Sequence, residues 1–371
     1  MSVSLREYQE VDYSPLSILT TISLIMISLA YVVFNVKTLL FSGINRLILL
    51  LLMIGIISSL LYGRENLLMI KQIIFIVYWG AVFFLFYFFT FNDSDTINET
   101  NKFYFLLLIP ITILVFTSNA LRGSMGYKVS QLGNNMIFYL LTVLPWLLVS
   151  KRRIFRLASV LFVLAMSVIT LKRSAMTSSI ICTLIVIYVE YIKGNTNKVR
   201  AICLSFLFVI SAFGLMYYAN SINDGAAIER VENLEDDEGS GRLERYKDVL
   251  RLLRDEDNRG KMVFGHGFRT VEVSLGEESS SAHNDFLEVL YDYGVIGLLL
   301  FVLFHLALIK RVMYLGNVES EYAESYAVSY VIFFIMSMVS HLIIYPTYFI
   351  FLTSYWGAIE GHLMTIDENE R

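Results

Sequence analysis

Apolar stretches about as long as the 20-residue helix that crosses a bilayer recur along almost the whole chain. In lipid, a spanning segment must satisfy its own backbone hydrogen bonds, and an α-helix does so. The composition agrees, since 56% of the 371 residues are hydrophobic and 14% are aromatic. The sequence therefore predicts an all-α fold, a polytopic transmembrane helix bundle that forms a single membrane domain over residues 1–371.

Hydropathy windows of about 19 residues locate the spans of this bundle. They predict spans at 16–34, 47–61, 73–91, 103–117, 136–149, 154–170, 175–192, 201–219, 295–309, 326–344 and 348–364. The expected total is about 10–12 spans. Pro110 and Pro145 lie inside two of them, where neighbouring helices can satisfy the freed backbone groups. One large polar loop, 220–283, separates the spans 201–219 and 295–309.

The orientation follows from the short loops, because Lys and Arg accumulate on the cytoplasmic side. Basic residues fill the turns 151–156, 193–200 and 310–311. These turns share one side of the membrane only if the large loop lies on the other. The sequence thus predicts an extracytoplasmic loop and a cytoplasmic C-terminus. Residues 1–14 are polar without a basic region, so no cleavable signal peptide is predicted.

Several other functions and sites are disfavoured. The net charge of -4 does not indicate the basic surface that binds a nucleic acid. Cys182 and Cys203 lie in apolar runs, where a structural disulfide is not expected. The segment 93–95 reads Asp-Ser-Asp, a pattern with which nucleotide-sugar enzymes bind a metal, but it falls on the predicted cytoplasmic side. The acidic stretch 229–238 is interpreted as solvated, with a calcium site as the weaker alternative.

Three polar segments share the predicted outer side, and each carries a cation that the positive-inside rule does not explain. They are 118–135 with Arg122, the turn 170–174 with Arg173, and the large loop. A cation on that side needs a partner, either an anionic substrate or lipid headgroups. Within the loop, apolar residues recur at helical spacing after Arg242 and predict an amphipathic helix. This helix is expected to lie on the membrane, to bind an anionic headgroup, or both.

His283 stands directly before a predicted helical run, 286–293. Asn284 is the expected N-cap, and Asp285 and Glu288 suit the positive end of that helix. Gly294 follows and allows a close approach to neighbouring segments. A lone histidine in such a place is more often structural, but the residues around this one favour a functional role.

The pattern His283-Asn284, nine residues, then two glycines three apart resembles the His-(Asn/Ser/Gln)-x9-Gly-x-x-Gly signature of bacterial O-antigen ligases and polymerases. Further matching segments, in the family's order, are Arg122-Gly123, Lys172-Arg173-Ser174 for its Ser-Arg-Gly turn, Gly241-Arg242, the Gly265-His266-Gly267 turn, and the glycine pair Gly294 and Gly297. Lys and Ser replace the family's Ser and Gly beside Arg173. The resemblance runs from about residue 121 to residue 364.

This resemblance implies an integral membrane glycosyltransferase of the GT-C type, with a polyprenyl-diphosphate-linked oligosaccharide as donor and no metal or other cofactor. It implies that Arg122, Arg173 and Arg242 bind the diphosphate by charge-assisted hydrogen bonds. His283 is the implied catalytic base, and the transfer inverts the anomeric carbon. Asn284 and the glycines Gly265, Gly267, Gly294 and Gly297 are implied to support the site.

The leading hypothesis is a polymerase that joins lipid-linked repeat units into a surface polysaccharide (O-antigen, capsule or exopolysaccharide). It is expected in the bacterial inner membrane, with its active face outside, in contact with membrane lipid and with a chain-length regulator. One alternative is a ligase that transfers the glycan to lipid A-core or another acceptor. A second alternative is a non-enzymatic transporter of lipid-linked glycan, which would carry charged residues deep within its spans.

Overall fold

A computed structural model describes residues 15–34, 42–63, 67–124, 134–189, 242–275 and 281–369, with the single positions 214, 217 and 221. Over these ranges the chain contains thirteen helices and no strand, which confirms the all-α prediction. The predicted span 201–219, the acidic stretch 229–238 and Cys203 lie outside the described ranges. Cys182 is a buried free cysteine.

The helices are numbered here in chain order. They are α1 (Pro15–Phe34), α2 (Gly43–Tyr62), α3 (Leu67–Asn92), α4 (Thr96–Ser124), α5 (Ile137–Leu148), α6 (Arg153–Ile169), α7 (Arg173–Ile187), α8 (Arg242–Arg254), α9 (Arg259–Phe264), α10 (Val271–Ser274), α11 (Asp285–Asn317), α12 (Ala323–Val339) and α13 (Pro346–Asn369). Pro110 and Pro145 lie inside α4 and α5, as predicted.

Four segments of the described chain are long and apolar enough to cross a membrane. They are Gly43–Tyr62, Ile73–Asn92, Thr96–Leu121 and Asp285–Asn317. α4 exposes Leu106, Ile109 and Ile113 along its length, a face that a soluble protein would bury and that lipid would cover. Shorter apolar helices, α5, α7 and α12 among them, complete a multi-pass membrane bundle.

The core of the bundle lies where α13 packs along α3 and α5, with α12 against α5, α7 and α11. Aromatic rings fill it. Trp146 stacks on Tyr104 with centroids 4.9 Å apart and meets Tyr355 edge to face at 5.6 Å. The indole N–H of Trp146 donates to Ser354 Oγ at 3.1 Å, so this buried polar group is satisfied.

The bundle has two ends of different character. At one end, Arg156 in the first turn of α6 lies 3.8 Å from Glu324 in the first turn of α12. At the far end of α12, about 25 Å away by helix rise, the hydroxyl of Tyr246 donates to the carbonyl oxygen of Met338 at 3.2 Å. Arg311 pairs with Glu360, which also accepts from the hydroxyl of Tyr326 in the first turn of α12. The basic turns 151–156 and 310–311 therefore share one end, as predicted.

Two predicted spans differ from the structure. The span expected at 326–344 ends as a helix at Val339, because Ser340 leaves the helical conformation and Pro346 then starts α13. The helical run 286–293 and the span 295–309 form a single helix, α11, which is kinked at Gly294. The non-helical turn 340–345 thus stays beside the start of α11.

Candidate functional site

His283 lies in a short non-helical segment that leads directly into α11. The side-chain oxygen of Asn284 accepts a hydrogen bond from the backbone N–H of Leu287 at 3.1 Å, so it is the predicted N-cap. The side-chain amide of Asn284 also donates to the carbonyl of Met338 at 3.1 Å. His283 has φ 55°, in the left-handed region that side chains other than glycine rarely adopt. Such backbone outliers cluster at functional sites, where surrounding contacts maintain them.

A second histidine lies against the first. The rings of His283 and His341 stack with centroids 4.7 Å apart at 27°, and His341 also stacks on Tyr345 at 4.3 Å. The hydroxyl of Tyr246, in α8, lies 3.3 Å from the carbonyl oxygen of His283, to which it donates. The loop helix α8 therefore contacts the histidine segment directly.

Three basic side chains from two separate segments change the pKa of His283 through their positive charges. Arg242 and Arg245 lie in the first turns of α8, and Lys172 lies in the turn before α7. Burial, followed by the positive charges of Arg245, Arg242 and Lys172, lowers the pKa of His283 from 6.5 to about 3. The imidazole is thus neutral at physiological pH and can accept a proton. A neutral base beside a cluster of cations suits chemistry on an anionic substrate.

Buried carboxylates on one face of α11 fix the loops around His283. Asp285, Glu288 and Asp292 follow one another at steps of three and four residues, and each is at most 1% exposed. Each accepts hydrogen bonds from the backbone of a different loop. Asp285 accepts from Leu342 N–H at 3.1 Å, and Glu288 accepts from Ala282 N–H at 2.5 Å. Asp292 accepts from the N–H groups of Arg269 at 2.6 Å and Thr270 at 3.0 Å. The buried acidic side chains in the first turns of α11 therefore hold the loops around His283 in place by hydrogen bonds.

Residues 157–302 of this chain match the profile of a protein family described as O-antigen ligase. The match covers less than half of the chain, and over this region the chain is similar to that family. The matched region contains Lys172, Arg242, Arg245 and His283 and ends within α11. A search among curated proteins finds no match.

The predicted site residues lie in different parts of the matched region 157–302 and in the segment before it. Arg242 is the first residue of α8, and its charge acts on His283. Arg173 is the first residue of α7, directly after Lys172. Arg122 lies in the last turn of α4, before the matched domain, and its side chain is outside the described part. The catalytic and binding roles of these residues stay predictions.

Four residues near His283 were not singled out from the sequence: Lys172, Arg245, Tyr246 and His341. Arg245 is three residues after Arg242, so helical spacing alone places it on a neighbouring face. In the sequence, Lys172 stands where the family's turn has Ser, which does not by itself indicate a role. No local signal identifies His341, which follows the matched region by almost forty residues (302 to 341) and contacts His283 only through the fold.

The predicted glycine turn packs against the kink in α11. Gly265 has φ 84° and Gly294 has φ 67°. A Cβ atom on Gly265 would collide with the backbone carbonyl of Asp292, and one on Gly294 with that of Val263. The two backbones can therefore touch only because both positions lack a side chain.

The same turn is tied to α2. The backbone N–H of Gly267 donates to Ser58 Oγ at 3.0 Å, and that hydroxyl donates to the carbonyl of Asp292 at 2.6 Å. A Cβ on Gly267 would press on Gly63 at 2.7 Å. Gly297 makes a different contact, because its Cβ would meet that of Tyr293. A side chain would therefore collide with its neighbours at each of these glycines, and their supporting role in the site stays a prediction.

His266 differs from His283 in its surroundings. Its Nε2 lies 2.7 Å from Glu256 Oε2, its Nδ1 lies 3.1 Å from the carbonyl of Tyr291, and its ring stacks on Tyr291 at 4.1 Å. The hydrogen bond from His266 lowers the pKa of Glu256. With both nitrogens engaged by protein oxygens, His266 is a structural histidine of the glycine turn.

The Asp-Ser-Asp segment 93–95 lies outside the matched region 157–302, between α3 and α4. The carboxylate of Asp93 accepts a hydrogen bond from the backbone N–H of Asp95 at 3.0 Å. The backbone carbonyl of Asp93 accepts one from the backbone N–H of Thr96 at 3.2 Å. Asp95 lines a cleft together with Lys151 and Arg152. This segment is therefore a helix-initiating turn at the end of the bundle opposite His283.

Proposed function

We propose that this protein is a polymerase that joins polyprenyl-diphosphate-linked oligosaccharide repeat units into a surface polysaccharide. One observation carries the proposal: a neutral His283 next to Lys172, Arg242 and Arg245, at one end of an apolar helix bundle. A lipid-linked diphosphate is the substrate that fits an anion site at a membrane surface. The match of residues 157–302 to the O-antigen ligase family supports the same chemical class.

The leaving group determines what the cations do. Transfer breaks the bond between the anomeric carbon and a diphosphate oxygen, and negative charge grows on that oxygen. Arg242 and Arg245 can stabilise the charge by bidentate hydrogen bonds, and Lys172 adds a third positive charge. Because these side chains would supply the positive charge, we propose a reaction that needs no divalent cation.

The acceptor is activated by His283 in this proposal. Its imidazole takes the proton of an acceptor hydroxyl as the hydroxyl oxygen attacks the anomeric carbon from the face opposite the diphosphate. The configuration at that carbon is therefore inverted. The new bond joins the glycan to the acceptor oxygen, and the polyprenyl diphosphate departs as an anion.

Donor binding also adjusts the strength of this base. Without donor, the neighbouring cations disfavour the imidazolium form and the pKa of His283 is about 3. A bound diphosphate places negative charge among Arg245, Arg242 and Lys172 and so favours the imidazolium. The base thus becomes strong enough for catalysis when the donor occupies the site, which limits side reactions with water.

A ligase is the second candidate, since the matched family is described as O-antigen ligase. Donor, leaving group and base are the same in both reactions, and only the acceptor differs. A polymerase extends another lipid-linked glycan, whereas a ligase glycosylates lipid A-core or a comparable acceptor. We propose that either reaction occurs on the extracytoplasmic face of the bacterial inner membrane.

The test uses purified protein in liposomes with lipid-linked repeat units, either alone or with a lipid A-core glycolipid. A polymerase produces a ladder of longer lipid-linked chains from the donor alone. A ligase gives no ladder and labels only the added glycolipid. A protein that moves donor between leaflets without forming either product is a transporter, and the proposal is then wrong. The chain-length regulator is omitted, so we expect a broad length distribution.

A further inference from the structure

His341 lies in the turn 340–345 between α12 and α13 and is only 6% exposed. Its ring is stacked on both His283 (4.7 Å) and Tyr345 (4.3 Å). The guanidinium of Arg269 lies over the same Tyr345 ring at 5.3 Å. Three rings and a cation therefore form one continuous column that has His283 as a member.

A hydroxyl links the two histidines a second time. Ser281 Oγ lies 3.0 Å from His341 Nδ1, and it accepts the backbone N–H of His283 at 3.3 Å. Ser281 is fully buried and has φ 65°, close to the φ of 55° at His283. The left-handed backbone positions Ser281 and His283 are thus anchored through this hydroxyl to the ring of His341.

The turn that carries His341 is in turn fixed to the helix that follows His283. The carboxylate of Asp285 accepts the backbone N–H of Leu342 at 3.1 Å and the hydroxyl of Ser337 at 2.9 Å. The side-chain amide of Asn284 donates to the carbonyl of Met338. The residues on both sides of His341 are therefore held by the two residues that follow His283.

Another buried histidine shows what ordinary packing looks like in this bundle. His305, in α11, stacks between Phe286 (5.0 Å) and Phe333 (4.6 Å) and is 5% exposed. Neither of its ring nitrogens has a hydrogen-bond partner among the described residues. His341 differs from His305 in two contacts. Its ring nitrogen is hydrogen-bonded to Ser281, which also accepts from the backbone of His283, and its ring stacks on that of His283.

We propose that His341 is a positioning residue that fixes the imidazole of His283 for proton transfer in the glycosyl transfer proposed above, on which this inference rests. A general base must be held within a narrow range of position and angle, and a displacement of about 1 Å can cost about 10²-fold in rate. The stack limits rotation of the His283 ring, and Ser281 fixes its backbone. Asp285 supports both restraints, because its carboxylate holds the turn 340–345 that carries His341.

The kinetic test compares His341→Ala with His305→Ala, a matched removal of a buried, stacked histidine. We expect kcat to fall by about 10²-fold in His341→Ala, with an unchanged KM for the lipid-linked donor. His341→Phe, which keeps the stack but not the contact to Ser281, should lose less. Equal kcat losses in the two alanine variants would show that His341 contributes only packing, and the inference would be wrong.

A second measurement does not require activity. Diethyl pyrocarbonate modifies neutral imidazoles, and peptide mass spectrometry gives its rate at His283. We expect His283 to react severalfold faster in His341→Ala than in the wild type or in His305→Ala, because its ring is less restrained. An unchanged rate in folded His341→Ala and His341→Phe overturns the inference. Absence of transfer by the wild type, with the faster modification present, refutes only the proposed function.

Discussion

The imidazole of His283 is kept neutral by burial and by the charges of Arg245, Arg242 and Lys172. Only the charge contribution can be removed without repacking the site. A protonated His283 cannot accept a proton, so the rate falls as the pH drops through its pKa. Because that pKa is about 3 in the unoccupied protein, kcat/KM should show no acid limb from His283 near pH 6.5.

The acid limb that His283 produces at its pKa of about 3 should move to higher pH in Lys172→Met, since loss of one neighbouring cation raises that pKa toward 6.5. The measurement is the pH dependence of kcat/KM for the lipid-linked donor. Lys151→Met, at the other end of the bundle, is the control and should leave the profile in place. A limb that stays fixed or moves to lower pH in Lys172→Met would contradict the assignment of Lys172 to the site.

Arg242 is expected to stabilise the diphosphate as it leaves. Arg242→Ala should cost roughly 2–4 kcal/mol of transition-state stabilisation, or about 10²–10³ in kcat, by analogy with the loss of an oxyanion donor. Arg242→Lys should recover only part of the rate, because ammonium lacks the planar fork of guanidinium.

The control for this prediction is Arg251→Ala on the same helix. Arg251 is 64% exposed and pairs with Asp248, three residues earlier. Its removal should leave transfer unchanged, since exposed pairs contribute little. Equal effects of the two alanine variants at equal expression would show that α8 acts through its general positive charge and not through Arg242.

At the scale of elements, the kink in α11 joins the site to the bundle. Gly294→Ala would force alanine to φ 67° and bring its Cβ against the carbonyl of Val263. We expect a loss of at least about 1–3 kcal/mol of stability, visible as a lower melting temperature in detergent. Gly316→Ala, in the same helix with nothing within 4 Å of the added Cβ, should be neutral or stabilising. Similar melting temperatures for both variants would contradict this account of the kink.

Local signals in the sequence predicted several of these elements well. The capping residue Asn284 and the apolar character of α2 and α4 need only neighbouring residues, and the structure confirms them, although both helices are longer than the spans predicted at 47–61 and 103–117. Hydropathy could not locate the end of α12, because Leu342, Ile343 and Ile344 continue the apolar sequence beyond Val339. A helix end that depends on Asp285 accepting from Leu342 requires the folded chain.

The site was predicted only in part for the same reason. His283 and Arg242 stand in recognisable patterns, whereas His341 contacts His283 across 58 positions of sequence (283 to 341). The choice between Lys172 and Arg173 depends on where α7 begins, and a turn signal does not fix that to one residue.

The two ends of the molecule differ in their short turns: one end carries the basic turns 151–156 and 310–311, and the other carries His283. Because the turns 151–156 and 310–311 are basic, we expect that end to face the cytoplasm. In a variant without Cys182 and Cys203, Arg254→Cys should react with an impermeant maleimide added to intact cells, and Lys151→Cys should not. Arg254 and Lys151 are 76% and 82% exposed, so both cysteines are accessible once a reagent reaches their side. The reverse labelling would place the site in the cytoplasm.

The central claim is that His283 is the base of a metal-independent glycosyl transfer. It is tested most directly by incubating purified protein with lipid-linked repeat units and EDTA, without nucleotide, and measuring initial rates of chain growth. A general base contributes about 10²–10⁴-fold, so His283→Ala should fall by that factor while His305→Ala keeps the wild-type rate. Chain growth by His283→Ala at the wild-type rate, or loss of wild-type activity in EDTA, would contradict the account.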